Sequence, residues 1–183
     1  MRSKTYGLLV LIAMVLLYSC KNTAGDKDVK DKVVQNKILQ QADGTISLKV
    51  EKADCYQDVV NPSSNTAEWS VVVSKSGRFN VWLSSATKDT TDLKYNNSVK
   101  LSILDDRIEA RPACDKIIYN SSDVTYPYFR ADSFIGSLYI QDTGIFNIQI
   151  ISEKIVLKNL NKRESSGTDN SKLLSVFLTP ATQ

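Results

Sequence analysis

Trp69-Ser-Val-Val-Val-Ser-Lys-Ser-Gly-Arg-Phe-Asn-Val-Trp-Leu-Ser-Ser-Ala86 is the stretch whose reading decides the fold. Side chains of a strand alternate between its two faces. Trp69, Val71 and Val73 therefore line one apolar face, and Phe79, Val81 and Leu83 line another. Lys75-Ser-Gly77 interrupts the two runs, and its glycine supplies the backbone freedom a reversal requires. The pattern predicts a β-hairpin with one face to bury against a second sheet. Trp82 points away from that apolar face, either under a neighbouring loop or onto an exposed sheet surface, and packing is the expected outcome.

The same period recurs along the chain. Ile46, Leu48 and Val50 alternate after the turn signal Asp43-Gly44, and Val99, Leu101 and Ile103 alternate before Asp105-Asp106. Arg107–Arg111 and Ile117–Tyr119 read as further short strands. Gly136, Leu138 and Ile140 precede Asp142-Thr-Gly144, and Phe146, Ile148 and Ile150 follow it, which predicts a second hairpin. Leu174, Val176 and Leu178 form a last strand before Pro180, after a loop-like charged stretch at 161–170. Many short strands separated by turns, with no long helical pattern, predict an all-β antiparallel sandwich or jelly roll. The domain is expected over 43–183, long enough for one sizeable core.

The N-terminus reads as a targeting segment. Arg2 and Lys4 precede an unbroken apolar run from Leu8 to Leu17, the length of a signal-peptide core and short for a bilayer span. Leu17-Tyr-Ser-Cys20 resembles the lipobox of bacterial lipoproteins; the resemblance implies cleavage after residue 19 and lipid attachment at Cys20. Residues 20–42 then read as a lipidated tether, polar at first, with a short frayed helix expected around Val29–Leu39. The expected location is the bacterial cell envelope, lipid-anchored, with the outer membrane favoured. Of 23 Lys+Arg and 20 Asp+Glu, Arg2 and Lys4 leave with the signal, so the remainder is near neutral. Such a surface lacks the concentrated basic face that nucleic acid requires.

With Cys20 lipidated, Cys55 and Cys114 remain as an even pair in an oxidising compartment. A bridge between them would close a loop of roughly 60 residues and stabilise by about 3–4 kcal/mol. Two separately buried thiols are the alternative.

Two segments resemble signatures of the galactose-binding-like jelly rolls, the fold of many carbohydrate-binding modules. One is Ser76-Gly-Arg-Phe-Asn-Val-Trp-Leu-Ser-Ser-Ala86; the other is Ile135-Gly-Ser-Leu-Tyr-Ile-Gln-Asp-Thr-Gly-Ile-Phe-Asn-Ile-Gln-Ile150. Gly44–Val50 and Leu174–Leu178 fit the paired terminal strands of such domains. The resemblance implies a carbohydrate-binding module. Such modules are usually appended to glycosidases or sulfatases, and the expectation here departs from that pattern: a non-catalytic carbohydrate-binding lipoprotein without a catalytic domain. The resemblance also raises Glu51 and Asp54 as ligands of a structural calcium, against a solvated surface role that is the stronger reading. No metal or other cofactor is expected.

The chain contains no histidine, which removes His-dependent nucleophilic catalysis and His-ligated zinc. Gly-rich phosphate loops are absent too. The adjacent carboxylates Asp105-Asp106 read as a turn rather than a glycosidase pair. The expectation is a binding protein and not an enzyme. Aromatics outside the buried alternation are the candidate sugar platforms: Tyr95 in the link from Thr87 to Ser98, and Tyr126, Tyr128 and Arg130 in the link from Asn120 to Asp132. Plugging the edge of the core is the competing role for Tyr126 and its neighbours. The expected partner is a glycan or, alternatively, an envelope protein that meets the same sandwich as a scaffold.

Overall fold

The computed structural model describes residues 37–156 and 171–181, within the unit Asn36–Gln183. The signal segment, Cys20 and the tether up to residue 36 lie outside the described residues. Eleven strands run through the described residues: β1 (Ile38–Leu39), β2 (Ile46–Lys49), β3 (Asp54–Tyr56), β4 (Thr66–Val73), β5 (Gly77–Thr87), β6 (Val99–Ile103), β7 (Asp106–Ala110), β8 (Lys116–Ile118), β9 (Phe129–Ile140), β10 (Gly144–Ile151) and β11 (Lys172–Pro180). They form two sheets. One has the order β1-β4-β10-β6-β7, with β3 also on β4; the other has the order β2-β11-β5-β9-β8. The fold is an antiparallel β-sandwich, as the alternation predicts, with only β1 paired parallel. The expected pairing of terminal strands is present, with Leu48 opposite Val176 and Ile46 opposite Leu178.

Neither expected hairpin exists. β4 and β5 follow one another in sequence but belong to opposite sheets, and so do β9 and β10. The true partners are nested: β4 pairs with β10, from Gly144–Val73 to Ile151–Thr66, and β5 pairs with β9, from Gly77–Ile140 to Thr87–Phe129. Ser74–Ser76 and Gln141–Thr143 are thus neighbouring arches that carry the chain from one sheet to the other. Alternation fits both arrangements because each strand still turns one apolar face inward. Trp69, Val71 and Val73 face the core from one sheet, and Phe79, Val81 and Leu83 face it from the other. A tight hairpin does form between β6 and β7, turned by Leu104-Asp105, and β3–β4 and β8–β9 pair across longer links.

Gln40 holds the first arch. Its side-chain oxygen accepts the backbone N–H of Ser74 at 2.9 Å and of Lys75 at 2.7 Å, while its Nε2 donates to the carbonyl of Gly44 at 2.8 Å. The sheet therefore begins inside the stretch read as tether, since Ile38 and Leu39 lie against Val71 and Val72 of β4. Strand β3 was likewise not legible in the sequence. Trp69 is buried, and its indole N–H donates to the carbonyl of Lys49 at 2.9 Å, tying one sheet to the end of the other.

Two bulges reset the alternation in the five-stranded sheet. Between β5 and β9 the register slips so that Val81 lies opposite Gly136 while Trp82 lies opposite Phe134. The extra residue inverts parity: Ile135, Leu138 and Ile140 point inward, and Phe134 and Tyr139 point outward. Gly136 is suited to this place, with φ +140° and Ile108 Cγ2 only 3.3 Å from where a Cβ would sit. In β11 the slip between Leu173 and Ser175 makes Leu173, rather than Leu174, a core residue.

Candidate binding face of the five-stranded sheet

The outward face of β11, β5 and β9 carries an aromatic row. Phe177 is directly opposite Trp82, and Trp82 is directly opposite Phe134. Two inter-strand spacings give the row a span of ~10 Å. The Trp82 and Phe134 rings meet at 5.3 Å between centroids and 57° between planes. Phe134 is 46% exposed. A shallow hollow of about 240 Å³ opens beside the Trp82 and Phe177 end of this row, lined also by Lys116, Arg130, Asp132 and Thr179.

A charged lattice flanks the row. Arg130 binds Asp132 through both carboxylate oxygens, with Nε to Oδ1 at 2.8 Å and Nη2 to Oδ2 at 3.0 Å. Its Nη1 donates to Asp123 Oδ2 at 3.0 Å, and its Nε also reaches Ser84 Oγ at 2.9 Å. The Ser84 hydroxyl in turn donates to Asp132. Lys49 closes the set on the other oxygen of Asp123, at 3.4 Å. The guanidinium carbon lies 4.9 Å from the Phe177 ring centre, within cation–π range. Burial alone would lower the pKa of Arg130, but the carboxylates of Asp132 and Asp123 outweigh it and hold the charge on. The geometry offers aromatic faces on which a ligand could stack, with hydrogen-bonded polar groups held beside them.

The expected site residues fare differently. Arg130 belongs to this face, because β9 begins at Phe129 and takes in residues read as loop. Tyr95 is no ligand platform: it is 6% exposed, and its hydroxyl shares a 2.9 Å hydrogen bond with that of Ser85. An aromatic ring that closes the core edge and satisfies its hydroxyl internally offers no stacking surface. Tyr126 is 87% exposed, beside a cis bond to Pro127, and Tyr128 carries the Lys88 ammonium 5.0 Å from its ring centre. Neither lines the hollow. Trp82, expected to pack away from the apolar face, lies on the outward sheet face between Phe177 and Phe134, two residues that carry no expectation from the sequence. The available signal was an aromatic between inward positions, as at Trp82 and Phe177, but joining the three requires the order β11-β5-β9.

The expected bridge is also corrected. Cys55 and Cys114 are free. Cys55 sits on β3, against β4 of the six-stranded sheet, with the carbonyl of Val50 at 3.9 Å from its sulfur; Cys114 lies just before β8, at the edge of the other sheet. Among the described residues no group of three or more His, Cys, Asp or Glu side chains could hold a metal ion, so Glu51 and Asp54 have no third partner of that kind. No described helix is long and apolar enough to cross a membrane.

No protein-family model and no curated protein sequence matches the chain. Solved structures do. The α-L-fucosidase from Vibrio sp. strain EJY3 matches with a TM-score of 0.60 and 18% identity, over 79% of this chain and 24% of that one. The Podospora anserina GH26-CBM35 β-(1,4)-mannanase matches with a TM-score of 0.44 and 11% identity, over 77% and 28% of the two chains. An insecticidal crystal protein matches at 0.45 and 12%, over 78% and 22%. This chain thus spans about a quarter of the fucosidase, with which it shares a fold. Fold and site together define an antiparallel β-sandwich with an aromatic platform on the outward face of one sheet.

Proposed function

We propose that this protein is a non-catalytic, carbohydrate-binding lipoprotein of the bacterial cell envelope that takes glycans on the outward face of its five-stranded sheet. The observation that carries the reading is the row Phe177–Trp82–Phe134 beside the fixed Arg130–Asp132 pair. A pyranose offers one apolar C–H face and a rim of hydroxyls. Aromatic rings take the first, and placed charges and amides orient the second. A fold shared with a segment of a fucosidase, an enzyme named for a sugar substrate, supports the reading by analogy. The lack of any histidine in the chain argues against the commonest hydrolytic machinery. Lipid on Cys20 would tether the domain to a membrane, with the outer membrane favoured, at a surface where glycans are met.

The test is a glycan array probed with the full chain in detergent, beside the variant Trp82→Ala. Binding to neutral oligosaccharides that is lost in the variant supports the proposal. A silent array, or a variant that binds as the parent does, overturns it and leaves an envelope protein as the partner of this face.

A further inference from the structure

We propose a second binding site on the opposite sheet, for a saccharide that carries carboxylates; the saccharide class rests on the glycan-binding reading above. Arg107 and Glu109 of β7 and Arg111 just beyond it recur with period two, so they share the outward face. Ile108, between the first two, is turned the other way, towards Gly136. Lys100 of β6 lies directly opposite Glu109. Above this face a hollow of about 590 Å³ opens between two loops, one around Asn61–Ser64 and one around Asn96–Ser98.

Three features fix the ligand chemistry. The first is charge: three cations line the hollow against one carboxylate, Glu109, which Lys100 and Arg107 share at 3.8 Å each. Contacts that long between exposed groups leave both cations open to a better partner. The second is polarity. Ile151 is the only large apolar residue of the lining, so an acyl chain or an apolar peptide has little to bury there. Asn61, Asn96 and Asn97 instead supply amides, which both donate to and accept from hydroxyls. Guanidinium forks match the planar carboxylate of a uronate.

The third feature is that the loops are already held. Arg111 Nη2 donates to the carbonyl of Asn96 at 2.9 Å, and the Glu153 carboxylate, outside the lining, accepts the N–H of Asn96 at 2.5 Å and the amide of Asn97. On the other wall, Asp58 Oδ1 accepts the N–H groups of Val60 and Asn61, each at 2.9 Å. Walls set before the ligand arrives cost little ordering on binding.

Calorimetric titration of the full chain in detergent with a short oligogalacturonate and with its methyl ester tests the site. The acid is expected to bind, the ester about tenfold or more weaker, and Arg107→Ala to weaken the acid about tenfold, with affinity falling as salt rises. Equal affinity for acid and ester, or an Arg107→Ala protein that binds as the parent does, overturns the proposal. So does Arg107-dependent capture on anionic phosphatidylglycerol vesicles, beyond the capture on neutral phosphatidylcholine vesicles that lipid on Cys20 would give, without oligogalacturonate binding, which would assign the basic face to a membrane. Trp82→Ala separates the two sites. Oligogalacturonate binding that depends on Arg107 and survives this change stands even where the neutral-glycan array is silent. Binding that needs Trp82 and not Arg107 overturns the second site and leaves the first.

Discussion

Trp82 and Phe134 lie directly opposite one another on β5 and β9, ring centroids 5.3 Å apart, on the outward face of the five-stranded sheet. They meet there because the bulge at Ile135–Gly136 turns Phe134 over. Ring stacking on a ligand contributes on the order of 1 kcal/mol per aromatic beyond exclusion of water. Trp82→Ala is therefore expected to weaken glycan binding about tenfold, and Phe134→Ala somewhat less. Tyr126→Ala is expected to change nothing, since Tyr126 lies in the loop before β9, outside the row Phe177–Trp82–Phe134. Titration of the three variants with an array-selected oligosaccharide checks the order.

Tyr95 answers to stability instead. Tyr95→Phe removes the bond shared with Ser85 and is expected to cost about 1 kcal/mol. Tyr95→Ala empties a buried aromatic position and is expected to cost ~3–5 kcal/mol. Neither should move glycan affinity. Urea unfolding beside the same titration separates the effects.

Gln40 acts through the arch. Gln40→Ala leaves the backbone N–H groups of Ser74 and Lys75 without the oxygen that accepts both. The expected loss is about 1–2 kcal/mol, because solvent can reach this turn and replace part of what is removed. Hydrogen exchange should show faster exchange at Lys75 and unchanged exchange at the centre of β5.

Acid should loosen the charged lattice. Burial pushes the Asp123 carboxyl up, but Lys49 and Arg130 outweigh it, so the group titrates below its ordinary value. A carboxyl whose folded value lies below the unfolded one, ~3.9, stabilises the fold above that pH. The contribution fades as pH drops towards the lower folded value. The gap in urea midpoint between the parent and Asp123→Asn is expected to be present at pH 7 and smaller at pH 3. Asp89 holds out further. The Thr91 hydroxyl and the N–H groups of Thr91 and Asp92 keep it at about 2, so its turn should persist across that range.

The thiols give a further check. Burial first, and Asp54 second, pushes Cys55 up; burial, then Asp89, Asp92 and Asp115, does the same to Cys114. Thiolate is scarce at neutral pH in both places. Both cysteines are expected to alkylate slowly at pH 7, faster as pH rises, and without prior reduction. A linked Cys55–Cys114 peptide in a non-reduced digest would contradict the structure. At the N-terminus, Cys20→Ser is expected to release the protein from the membrane fraction, and persistent sedimentation after a carbonate wash would sink the lipid-anchor proposal.

Of the candidate site, the sequence made Arg130 legible and little else. Tyr95 looked like a loop aromatic because its neighbours are polar, yet the link folds it into the core beside Ser85. Alternation counted back from Ile140 would place Phe134 inward, whereas it is exposed. One unpaired residue at the bulge reverses that count, and nothing in the local pattern announces it. Trp82 was seen to face away from the core, but its neighbours Phe177 and Phe134 are 95 and 52 positions further along the chain.

Period-two alternation by itself determined that the described domain is all-β, where its longer strands run and which residues, such as Val71, Val81, Leu101 and Ile148, fill the core. Those are properties of single strands, set by where each side chain points. Which strand lies beside which was decided only by the tertiary structure. Backbone N–H and C=O groups are the same in every strand, so a hairpin between β4 and β5 would have met the same local rules as the two arches that form. The arches prevail because they set Trp69, Val71 and Val73 across the core from Phe79, Val81 and Leu83, each face drying the other. That same choice places Trp82 between Phe177 and Phe134, and so creates the aromatic row on the outward face.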